Sequence, residues 1–199
     1  MAETTYNNRR AVEIENADLR LTVLVEGGHI AAITHKATGV NPLWTPPWRS
    51  IEPSLWRPDA CPEYGRDAES KLLAGIMGHN LCLDVFGGPS AEEASAGMTV
   101  HGEASVLPYE IRAEERRLSA RAVLAASQLS IERTICLGER GPVAAITETV
   151  ENLSCWDRPS AWTQHVTLGP PFLVPGSTRF RAPATRSKVY EEDFMGGKG

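Results

Sequence analysis

The sequence has no block of basic residues. Its 20 Lys and Arg are scattered among 25 Asp and Glu, giving a formal charge of −5. Nothing in it could neutralise a run of phosphates, so nucleic acid is not an expected partner. Long apolar runs are missing too. No stretch approaches the roughly 20 residues that a bilayer crossing needs, so no membrane association is expected. Met1 to Arg10 lacks the apolar core of an export signal. A soluble, cytoplasmic protein is therefore the expectation. Cysteine is sparse: Cys61, Cys82, Cys136 and Cys155 lie far apart, with no pair at zinc-knuckle or redox spacing. That pattern fits free thiols in a reducing compartment, and Cys82 and Cys136, inside apolar stretches, read as small buried hydrophobes rather than nucleophiles. The glycines of residues 75–89 have neither a Lys-Ser/Thr pair nor a strand-to-helix transition beside them, which excludes a P-loop or a dinucleotide fingerprint.

What is present is alternation. With 42% hydrophobic residues over 199 positions, the chain can bury a substantial core. Apolar residues alternate with polar ones, or come in short β-branched bursts, over residues 11–16, 19–25, 29–35, 79–86, 98–107, 109–114, 117–125, 128–137, 143–152 and 160–168. The links Glu26-Gly27-Gly28 and Leu137 to Pro142 are too short for crossover helices, so the strands should be antiparallel. Residues 68–74 are expected to form a short helix. The predicted class is mainly β, an antiparallel β-sandwich, with residues 1–199 as one domain.

Two stretches break the pattern. Residues 39–67 are rich in proline and tryptophan, which forbids regular ladders and predicts a long ordered loop. Trp44, Trp48 and Trp56 there suit either a binding element or a plug over one end of the sheet. The second break starts at Gly169-Pro170-Pro171. After one further candidate strand at Arg179-Phe180-Arg181, the sequence reaches Gly199 with no closing element. A sheet left with an open edge would pair with a second copy of the chain, as a homodimer, or with a continuation of it.

Residues 98–107 carry the most chemistry. As a strand they would place Thr99, His101, Glu103 and Ser105 on one face, with Met98, Val100, Gly102, Ala104 and Val106 on the other. A His-Glu pair flanked by hydroxyls suits a surface that binds a polyol, although solvated sheet faces also carry such residues. Residues 161–168 repeat the arrangement, with Thr163, His165 and Thr167 opposite Trp162, Gln164, Val166 and Leu168. Two histidines on polar strand faces could converge on one cleft, where a pKa near ~6.5 suits proton exchange at neutrality. His79, His101, Glu103 and His165 are also metal-ligand types. A strand-borne metal site would add a second histidine one residue from the first, and His101-Gly102-Glu103 lacks it, so no metal is expected.

Taken in order, several segments together resemble the galactose mutarotase-like (aldose 1-epimerase) superfamily. They are Gly28 to Ile33, Thr38 to Trp44, Gly75 to Gly88, His101-Gly102-Glu103 and Gln164 to Gly169. The resemblance implies a large antiparallel β-sandwich, a small-molecule sugar as partner, and interconversion of sugar anomers without a cofactor. In that family one histidine protonates the ring oxygen, while a carboxylate takes the proton of the anomeric hydroxyl. His101 and His165 would match the two active-site histidines. His79, Asn80, Glu103, Trp44 and Trp48 are the candidate sugar-contacting residues, His79 standing where the family usually has an arginine. The family's general-base glutamate and a substrate-binding aspartate would fall beyond Gly199. Glu103, expected on His101's face, is the substitute base; without a base the same fold would serve as a non-catalytic carbohydrate-binding or regulatory protein.

Overall fold

Side chains of a strand alternate between its two faces, so a sheet with one buried face needs apolar residues at every second position. The computed structural model, which describes residues 3–67, 69–181, 183 and 186, has ten strands in two sheets. The strands are β1 (Thr4–Tyr6), β2 (Arg9–Glu15), β3 (Leu19–Leu24), β4 (Ile30–His35), β5 (His79–Asp84), β6 (Glu110–Ala113), β7 (Arg117–Leu124), β8 (Leu129–Leu137), β9 (Ala144–Asn152) and β10 (Ala161–Val166). The first sheet runs β1-β2-β3-β4-β5-β10 and the second β6-β7-β8-β9, with antiparallel pairing throughout. The class is thus the mainly β, antiparallel sandwich that the alternation called for. Two helices of a single turn join them, α1 (Ser70–Leu73) and α2 (Ala91–Ser95).

One cluster of buried side chains draws on both sheets. Ile14, Leu21, Val23, Leu81 and Leu83 of the first meet Leu118, Ala122, Ile131 and Ile135 of the second. In β7 the pattern is regular: Leu118, Ala120, Ala122 and Leu124 are buried, and the residues between them face outward. At about 25 cal/mol per Å² of apolar surface removed from water, this layer is the main favourable term in folding.

The strand expected over residues 98–107 does not form. Residues 99–102 make a turn closed by Gly102 N–H to Thr99 O, and Glu103–Ser105 a turn of 3-10 helix. The reason is local. His101 and Gly102 both take positive φ, 62° and 83°, which ends any β ladder. The polar residues of the supposed face bond to the backbone instead: the Thr99 hydroxyl donates to Gly102 O and the Ser105 hydroxyl to Leu81 O, at 2.8 and 2.7 Å. The apolar set Met98, Val100, Ala104 and Val106 is nonetheless buried. Arg179-Phe180-Arg181 is not a strand either.

Between β4 and β5 the long Pro- and Trp-containing segment forms no strand, but it is tied down along its length. Trp44 N–H donates to Thr167 O and Gly78 N–H to Trp44 O. Its middle is held by Arg9, a buried guanidinium that donates to Glu52, to Gly75 O and to Glu26 O.

His29 sets a pH limit on this fold. Its Nε2–H donates to Ser105 O at 2.9 Å, and complete burial, helped by the nearby Arg9 charge, pushes its pKa well below the ordinary value. The folded protein therefore takes up this proton less readily than the unfolded chain. The stabilisation is complete above about pH 6.5 and declines as pH falls below it, by at most about 1.4 kcal/mol per pH unit. His29→Gln, which keeps an N–H for Ser105 O, should flatten the loss of thermal stability between pH 7 and 5. Equal pH slopes for the two proteins would show that His29 is not the group responsible.

Candidate functional site

β10 lies against β5 with His165 opposite Asn80 and Val166 opposite His79. This register puts His165 and Asn80 on one face of the pair, and His79 with Gln164 on the other. The first face receives His101. Its amide donates to Gly87 O, and its Nδ1 accepts from Gly87 N–H, both at 2.9 Å. Because an amide can only donate, Nδ1 carries the lone pair and the ring proton sits on Nε2. Burial lowers the pKa of His101, the neighbouring His165 lowers it further, and Glu69 offsets part of this. The neutral Nε2–H tautomer is therefore the resting form near neutrality.

The His101 and His165 rings lie 6.4 Å apart between centroids and are tilted by 29°. A flat molecule held between two rings needs about 7–8 Å, twice an ordinary contact distance. A ligand would accordingly lie across the ring edges, where both imidazoles can reach it. Phe86 continues the row, 4.9 Å from His101. Asn80, beside His165, is buried; its amide donates to Ser105 Oγ at 3.1 Å. Asn80 Oδ1 and His165 Nδ1 are both buried without a hydrogen-bond partner among the described residues.

Other expected site residues lie elsewhere. Glu103 shares no strand face with His101. Its carboxylate is buried and accepts the Ser127 amide N–H at 2.9 Å. Trp44 and Trp48 stack edge-on to each other at 5.5 Å, and the Trp48 indole donates to Leu73 O. Among the described residues no ring contact joins this pair to His101 or His165.

His79 belongs to a separate arrangement on the opposite face. Its Nε2–H donates to Gln164 Oε1 at 2.5 Å, and the Gln164 amide donates to Glu148. Glu148 accepts from Arg133 Nε at 2.6 Å, and Arg133 donates onward to Gly28 O. Burial, then the Arg133 charge, lowers the His79 pKa. This row of polar groups ties β5 and β10 of one sheet to β8 and β9 of the other. Its members His79, Gln164 and Glu148 line a cavity of about 560 Å³, together with Ile30, Ile33, Leu43, Ile146, Trp162 and Val166. Sequence reasoning missed the row, because Arg133 and Glu148 look like ordinary charged residues on strands.

Among the described residues no group of three or more His, Cys, Asp or Glu gathers to hold a metal ion, and no helix is long and apolar enough to cross a membrane. Cys82 is not an activated nucleophile, since burial pushes its thiol up to about 11.

No protein-family model matches the chain, and no curated protein does. Similar solved structures include a galactose mutarotase-like protein from Lactobacillus casei ATCC 334, at 12% identity and a TM-score of 0.47, covering 71% of this chain and 44% of that one. A galactose mutarotase related enzyme from Lactobacillus acidophilus matches at 10% and 0.40, covering 65% and 39%. The 4-alpha-glucanotransferase from Thermococcus litoralis matches at 18% and 0.37, covering 68% and 22%. The chain thus spans less than half the length of each, and likenesses this distant assign it neither a family nor an activity.

Proposed function

We propose that the protein is aldose 1-epimerase-like, binding a small sugar across the edges of His101 and His165 and interconverting its anomers. The observation that carries this reading is the pair of imidazoles 6.4 Å apart, one of them with its proton fixed on Nε2 by Gly87. The quoted sequence motifs add to it.

Anomers interconvert by opening and reclosing the ring. A proton leaves the anomeric hydroxyl as that oxygen becomes a carbonyl; the bond from C1 to the ring oxygen breaks, and the ring oxygen gains a proton. Both oxygens are attached to C1, so adjacent groups can serve both. His101 cannot accept a proton at Nε2 while Nδ1 is engaged, so it serves as the N–H donor that stabilises charge growing on the ring oxygen. His165 takes the proton from the anomeric hydroxyl and returns it to the ring oxygen. Rotation about C1–C2 and the reverse sequence give the other anomer. No cofactor is needed.

One observation favours a second reading, a carbohydrate-binding protein without turnover. Glu103, the substitute base expected from the sequence, is buried and occupied by Ser127. Polarimetry on freshly dissolved α-galactose and α-glucose separates the two. An enzyme accelerates mutarotation above buffer, and His101→Asn and His165→Asn each lower the rate on the order of 10²-fold. A buffer-level rate with sugar-dependent thermal protection selects the binding protein. Neither effect with either sugar would end the carbohydrate reading.

A further inference from the structure

We infer that Phe86 is the platform on which the sugar lies, and that the site takes the closed pyranose ring by its apolar C–H face. The inference rests on the carbohydrate reading above and names the form of sugar that the site recognises.

Phe86 is 52% exposed, and the chain is tied down on both sides of it. The loop bearing it leaves β5 at Asp84, whose carboxylate is paired with Arg158 just before β10. One residue after Phe86, Gly87 makes two hydrogen bonds to His101, through its N–H and its carbonyl. The backbone that carries Phe86 is therefore tied to His101, and the phenyl ring lies 4.9 Å from the imidazole at a tilt of 40°. Phe86, His101 and His165 form one row, an apolar ring followed by two proton-handling rings. A pyranose has the matching composition. One of its faces is largely C–H, suited to an aromatic surface, while its ring oxygen and hydroxyls lie along the edge. Resting the C–H face on Phe86 carries that edge toward Nε2–H of His101. An open-chain polyol offers no such flat face and gains little from the phenyl ring.

Methyl pyranosides provide the test, because the methyl group on the anomeric oxygen blocks ring opening and leaves binding alone to be measured. The methyl pyranosides of galactose and glucose, and the acyclic polyol galactitol, are titrated calorimetrically into the full chain and into Phe86→Ala and Phe86→Trp. Since the exposed ring adds little to the core, both variants should melt close to the parent. The expected result is binding of at least one pyranoside that weakens about tenfold in Phe86→Ala, as covering part of a phenyl ring implies. Phe86→Trp should bind within about twofold of the parent, and galactitol should be insensitive to either change. Pyranoside binding unchanged in Phe86→Ala overturns the inference while the carbohydrate reading stands. A loss shared equally by galactitol also overturns it, because the ring would then act only by holding His101 in place. If the parent binds no pyranoside, this inference falls, and polarimetry on the free sugars decides the carbohydrate reading.

Discussion

Gly102→Ala is expected to lower the melting temperature by roughly 10 °C, because a backbone penalty and a steric one coincide there. Gly102 sits at φ +83°, and a Cβ on it would stand 2.0 Å from the carbonyl oxygen of Leu83, near the C-terminal end of β5. A side chain in the left-handed region costs about 1–2 kcal/mol, and forcing an atom into packed backbone adds about 1–3 kcal/mol. β5 cannot move aside easily, since it is paired with β10 along its whole length. Gly97→Ala is the control. That residue also has positive φ, +97°, but an added Cβ would meet nothing within 4 Å. It should lose the backbone term alone, about 1–2 kcal/mol. Thermal melts by circular dichroism of the two variants read the difference. Similar losses would mean that the segment does not press on β5 as closely as described. His101 immediately precedes Gly102, so a shift that relieves the clash also displaces the imidazole, and the variant should lose any mutarotation before it unfolds.

The same two residues show where the sequence could be read and where it could not. Alternation located the strands of the second sheet closely: residues 117–125, 128–137 and 143–152 became Arg117–Leu124, Leu129–Leu137 and Ala144–Asn152. It also put His165 and Gln164 on opposite faces of β10, as observed. In residues 98–107 alternation of burial survives only over 98–101, since 102–106 are all buried, and no strand forms, because period two carries no information on the φ of His101. Glu103 could not be placed from the sequence at all, since its partner is the backbone amide of Ser127, distant in the chain. The exposure of Phe86 was equally hidden, as an apolar residue closing an apolar strand looks like core. α2 was missed although its signal was present: Ser90 and Glu93 form a reciprocal capping box, the three-residue spacing that marks a helix start.

Arg9→Met should cost about 3–5 kcal/mol, the range for removing one partner of a buried ion pair. Arg9 is completely buried. Burial pushes its pKa down from the ordinary arginine value, and the charge of Glu52 works against that shift. Its Nε donates to Glu52 at 3.2 Å and its Nη2 to Glu26 O at 2.6 Å, while Nη1 reaches Gly75 O. Methionine would fill most of the space but leave those acceptors unanswered. Glu52 would keep the Arg10 amide at 2.7 Å and the half-exposed Arg10 guanidinium at 4.0 Å, which is too little for a buried carboxylate. Adding Glu52→Gln removes the stranded charge, so the double variant should lose less than the two single losses added together, with a coupling of about 1 kcal/mol or more. Urea denaturation of all four proteins measures that coupling. Strict additivity would mean that the pair contributes no more than its separate packing. There is a local consequence as well. The guanidinium joins β2 to both Glu52 and Gly75, two points on the segment that carries Trp44 and Trp48. Losing it frees that segment while leaving the Gly87 bonds to His101 intact. Trypsin should then cut Arg9→Met at Arg49 and Arg57 faster than the parent, at a denaturant concentration where both remain folded.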